Sequence, residues 1–64
     1  MPTWKRGGYL FRMYENDHPP QHLHISKDGV ELDRYDRENH RFMDGTIGKH
    51  QGRVLQALKR LGLD

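Results

Sequence analysis

Met13-Tyr14-Glu15-Asn16-Asp17-His18-Pro19-Pro20-Gln21-His22-Leu23-His24-Ile25 is where the chain declares its architecture. To its left, Tyr9-Leu10-Phe11-Arg12-Met13-Tyr14 alternates apolar and mixed positions, the period of a strand. To its right, His22-Leu23-His24-Ile25 alternates again. Between them, Asn16 to Pro20 is turn chemistry, because Pro19 and Pro20 fix φ and offer no N–H to a ladder. The reading is a strand over about Gly8 to Glu15, a stiff loop, and a returning strand over about Gln21 to Ser26. Leu23 and Ile25 then leave one face, and His22, His24 and Ser26 the other.

Outward from this pair the patterns stay local. Met1 to Gly8 reads as a short lead in which Trp4 covers the core edge and Gly7-Gly8 gives flexibility. Asp28-Gly29 is a tight hairpin signal, because both central residues of the favoured turn need φ > 0. A third strand follows over Val30 to Tyr35, with Val30 and Leu32 inward and Glu31 and Asp33 outward. Asp36 to Asn39 is a polar turn, and a short fourth strand covers about His40 to Met43. Thr46 is placed to cap a helix whose apolar residues are Ile47, Val54, Leu55, Leu58 and Leu61. Gly48 and Gly52 delay its start to near Lys49, and Gly62 stops it. The expected fold class is therefore α+β: one domain over residues 1–64, a small antiparallel sheet of three to four strands, and one C-terminal helix packed on one face. Tyr9, Phe11, Met13, Leu23, Ile25, Val30, Leu32, Phe42, Val54, Leu55, Leu58 and Leu61 form the expected core.

Composition narrows the class. The chain has 64 residues, 33% of them hydrophobic, and no cysteine to form a disulfide. Its mean hydropathy is -1.09. A core this thin would gain from a metal, a partner subunit or a second copy of the chain. No apolar run reaches the roughly 18 residues of a membrane span, and no signal-peptide core is present, so a cytoplasmic protein with no membrane partner is expected. Eleven cations against nine anions permit contact with RNA without the strong charge of a dedicated nucleic-acid coat.

Asn16-Asp17-His18-x-Pro20-x-His22-x-His24, preceded by Arg12-Met13-Tyr14, resembles the small bacterial family catalogued as domain of unknown function 4160. Met1-Pro2-Thr3 at the start and Met43-Asp44-Gly45 before the helix are similar as well. Gln21 stands where the family pattern has proline, and the helix lacks the acidic and aromatic extension of longer members. The resemblance implies a second small protein encoded by a neighbouring gene, in an arrangement like a toxin–antitoxin module.

Two chemistries suit the histidine cluster. The first is RNA cleavage, with His22 and His24 as acid and base, Arg12 as anion clamp, and His18 able to replace either imidazole. Imidazole suits both roles because its pKa lies near about 6.5. Lys49, Arg53 and Arg60 share a helix face and would hold nucleic-acid phosphates. This reading calls for no cofactor. The second is metal binding, with Asp17, His18, His22 and His24 offering nitrogen and oxygen ligands that Zn²⁺ would tolerate. Against both stands a structural role, in which the histidines are half-exposed strand residues bonded to Asp17 or to backbone carbonyls. A non-catalytic protein-binding module, using the exposed sheet face or an edge strand, is the remaining alternative.

Overall fold

The computed structural model describes residues 2–13 and 21–64. Among them, five strands form one antiparallel sheet in the order β1-β2-β3-β4-β5: Thr3–Arg6, Tyr9–Arg12, His22–Lys27, Val30–Asp36 and Arg41–Phe42. The helix α1, Gln51–Leu61, covers one face. The α+β class stands, with one strand more than expected. Tyr14, Asp17 and His18, and the Pro19-Pro20 turn, lie outside the described residues.

The additional strand is β1. Gly7 and Gly8 both take positive φ, 60° and 83°, and so form the tight turn that pairs Arg6 with Tyr9 and Trp4 with Phe11. What reads as a flexible lead is thus a hairpin, and Trp4 packs on the core from its edge. The Asp28-Gly29 turn forms as expected, with φ of 53° and 80°.

The faces of β4 depart from the alternation. Ser26 pairs with Glu31, but Ile25 pairs with Asp33, so Leu32 is an extra residue, a β-bulge. Beyond it the inward set moves by one position. Asp33 and Tyr35 point into the core, Leu32 is only partly buried, and Val30 is 61% exposed. The expected assignment of Val30 inward and Asp33 outward is therefore overturned.

A buried carboxylate needs partners, and Asp33 has them. It accepts backbone N–H bonds from Asp44 (2.9 Å), Thr46 (2.9 Å) and Ile47 (3.0 Å), besides that of Arg34. The turn that delivers the chain from β5 to the helix is wrapped around this side chain. Thr46 is not a helix cap: its hydroxyl donates to the Leu32 carbonyl, and His50, the residue before α1, makes no side-chain cap bond. Asp36 does similar work at the β4–β5 turn, accepting from the Asn39 side chain and the Glu38 and Asn39 backbone. These bonds, the Asn39 amide foremost, hold its carboxyl below the usual carboxylate range.

A single turn of 3-10 helix, Gly48–His50, precedes α1, so the α-helix begins two residues later than Lys49. At its end Gly62 takes φ 71°, and the Leu63 N–H reaches back to the Leu58 carbonyl at 2.9 Å. That reversal is a Schellman motif, and it drives Leu63 into the core. Ile47 is buried with the apolar face it was read on, Tyr35, Ala57 and Leu63 join the core unforeseen, and Met13, Phe42, Leu55 and Leu61 only flank it.

Candidate functional site

The helix covers the face that carries Phe11, Leu23, Ile25 and Tyr35. Among the described residues no helix covers the opposite face, and cross-strand pairing orders its side chains into rows. One row runs Thr3, Arg12, His24 and Arg34 across β1 to β4. The next runs Lys5, Leu10, Ser26 and Glu31. Strands in a sheet lie about 4.8 Å apart, so His24 has an arginine on each side of it.

His24 is oriented by an acid. Its Nδ1 lies 2.8 Å from Glu31 Oε1, and its side chain is 23% exposed. In the tautomer that donates Nδ1–H to this carboxylate, Nε2 is the acceptor nitrogen of the ring. His22 shares the face, as the alternation predicts, and its ring centroid is 4.9 Å from that of His24. It is, however, buried, at 8% exposure. The expectation that His22 is an exposed partner to His24 is corrected here: His22 backs His24 rather than facing solvent.

The two arginines differ. Arg34 is committed to Asp44 in a two-pronged pair, 2.6 Å and 3.1 Å. Its guanidinium holds the Asp44 carboxyl below the usual range, first by hydrogen bonding and then by charge. Because the folded value is depressed, the pair's stabilisation is present above the ordinary aspartate pKa of about 3.9 and is lost as pH falls through the folded value. Asp44→Asn should therefore lower the urea midpoint more at pH 6 than at a pH below the ordinary aspartate range, where the pair's stabilisation is being lost. An equal effect at both pH values would show that the charge is irrelevant.

The Arg12 side chain is exposed and makes no hydrogen bond or ion pair among the described residues. With Lys5, His24, Lys27 and Glu31 it lines a half-open concavity of about 710 Å³ on this face. Lys27 leans toward the Tyr9 ring, 5.1 Å from its centroid. Lys5 and Arg12 are the uncommitted cations beside His24.

The remaining candidates fall elsewhere. Arg53 and Arg60 are exposed on α1, and Lys49 on the turn before it. That is the helix side of the sheet, so the structure does not bring them to the histidines. Of the proposed metal ligands, Asp17 and His18 lie outside the described residues, and among the described residues no group of three His, Asp or Glu side chains is arranged to hold an ion. Two residues of the site escaped sequence reasoning. Lys5 was hidden because β1 read as a lead, although Gly-Gly between two apolar runs is a hairpin signal. Glu31 was hidden because its approach to His24 depends on the hairpin register. His50 also has a role: its Nδ1 meets the buried Tyr9 hydroxyl at 2.9 Å.

No family model, curated protein or solved structure matches the chain, so the likeness to domain of unknown function 4160 remains a resemblance. Among the described residues no helix is long and apolar enough to cross a membrane.

Proposed function

We propose that this protein is a small RNA-directed effector whose open sheet face binds a phosphodiester and cleaves it, with His24 as general base and Arg12 and Lys5 as the anion clamp. The observation that supports this reading is the His24–Glu31 pair set beside unpaired cations on an accessible concave face. The carboxylate fixes the tautomer, and Arg12 sits one strand from the base and Lys5 two. In the reaction His24 Nε2 takes the proton of the ribose 2′-hydroxyl. The 2′-oxygen attacks phosphorus, and the P–O5′ bond breaks. A 2′,3′-cyclic phosphate and a 5′-hydroxyl result, the leaving oxygen taking its proton from water on the open face. Arg12 and Lys5 offset the charge that builds on the phosphoryl oxygens. His22 is a positioning residue behind the His24 ring. The resemblance adds a two-gene context, in which a small protein encoded next door restrains the activity.

The non-catalytic reading has its own observation. Among the described residues β1 is an edge strand, the kind of element to which a partner's strand can add. One experiment separates the two. Purified protein is incubated with single-stranded RNA in EDTA, and products are resolved by end chemistry. His24→Ala should lower the cleavage rate by roughly 10²–10⁴-fold with the fold intact. Arg12→Ala should also lower it, and Lys49→Ala should not. A folded His24→Ala variant that cleaves at the wild-type rate, or wild type that cleaves nothing, removes the catalytic reading and leaves the edge strand.

A further inference from the structure

Three arginines meet on the other side of the β1–β2 hairpin. Arg6 ends β1, and its partner Tyr9 is buried, so Arg6 leaves the helix side of the sheet. Arg53 and Arg60 lie seven residues apart on α1, two turns of one face and about 10.5 Å along the axis. All three line a groove of about 200 Å³ between the hairpin and the helix, with Gln56 on its wall and Tyr9 at its base. The Tyr9 hydroxyl is tied to His50, so the base is held from beneath.

Among the described residues no acidic side chain lines this groove. Apart from Arg12 on the open face, the other arginines are engaged: Arg34 holds Asp44, Arg37 donates to the Leu63 carbonyl, and Arg41 lies 3.9 Å from Asp36. The side chains of Arg6, Arg53 and Arg60 make no hydrogen bond or ion pair among the described residues. Three guanidiniums around one small groove repel each other, and an anion relieves that repulsion. Guanidinium is also the side chain whose fork fits phosphate oxygens in pairs.

We propose that this groove is a second oxyanion site, which holds a phosphate of the RNA strand flanking the one at His24; the choice of RNA rests on the function proposed above. The hairpin itself favours a nucleic-acid strand over an acidic protein segment. Lys5 and Arg6 are consecutive on β1 and leave opposite faces. Gly7 lines the groove, and Gly8 lines the open-face concavity. A flexible strand crossing the two-glycine turn therefore passes from one set of cations to the other. Lys49, on the turn before α1, does not line the groove, and Arg6, from a different element, does.

The test is the salt dependence of binding. Anisotropy of a labelled single-stranded RNA is followed over a salt series for wild type, Arg53→Gln with Arg60→Gln, and Lys59→Gln as an exposed helix control. Losing the one phosphate contact at the groove should flatten the slope of log K against log salt by about 0.7, so the double variant should bind more weakly with a slope flatter by up to that amount. Lys59→Gln should change neither. If the double variant binds and cleaves RNA like wild type, the groove site is overturned and the His24 reading stands. Inorganic phosphate, titrated while the Arg53 and Arg60 side-chain N–H signals are followed, covers the converse case. Wild type that ignores RNA while phosphate still shifts those signals sinks the RNA reading and upholds the oxyanion site. Signals that move only with an acidic peptide, or not at all, overturn the site.

Discussion

Asp33→Ala is expected to remove most of the stability of this domain. The Asp33 carboxylate is 1% exposed and gathers the N–H groups of Asp44, Thr46 and Ile47. Alanine leaves those donors without an acceptor. A polar group stranded in this way costs about 1–3 kcal/mol, more for the buried Ile47 N–H than for the other two, so the sum is roughly 3–6 kcal/mol. A chain of this length has on the order of 3–10 kcal/mol to lose. Asp33→Asn keeps one acceptor oxygen and should fall between alanine and wild type. Urea unfolding followed by circular dichroism measures the order, and hydrogen exchange should show the Asp44-to-Ile47 turn opening first. An Asp33→Ala protein with the wild-type midpoint would mean that the turn holds its shape without the carboxylate.

Leu58→Ala should come next in magnitude. Leu58 is fully buried, and its carbonyl receives the Leu63 N–H that closes the helix end. The vacated space is bounded by sheet side chains that cannot all collapse into it, so a loss of about 2–5 kcal/mol is expected. Leu55, one helical turn earlier on the flank, is only partly buried, and Leu55→Ala should cost less than about 2 kcal/mol. Periodicity alone ranks the two leucines as equals, so thermal melts of the two variants measure what the packing adds. Equal melting temperatures would contradict the helix placement.

Of the candidate site, the sequence displays the residue types and one face. His22 and His24 alternate with Leu23 and Ile25, and a strand of period two must send them to the same side. Arg12 follows by the same rule on the neighbouring strand. The difference between the two imidazoles is not legible. His22 is buried and His24 is partly exposed, yet both lie on the same face of one strand, on either side of Leu23. The acid that orients His24 stands seven residues away across a turn, at a distance that only the register defines.

What the sequence determines by itself is whatever a few adjacent residues settle by their own conformational preferences. Asp28-Gly29 turns because its backbone favours positive φ, and Gly62 ends the helix for the same reason. Leu23 and Ile25 are inward because alternation leaves no other arrangement beside a helix with its own apolar face. What the tertiary structure decides are the choices that a local pattern leaves degenerate. The bulge at Leu32 reverses the faces of β4, because an aspartate in the core becomes tolerable once three backbone N–H groups from the Asp44-to-Ile47 turn close on it. Arg6 joins Arg53 and Arg60 because the helix docks beside the hairpin, 47 residues after Arg6 in the chain at its nearest arginine. Such partners are chosen by burial and charge neutralisation in three dimensions, and no window of sequence contains both members.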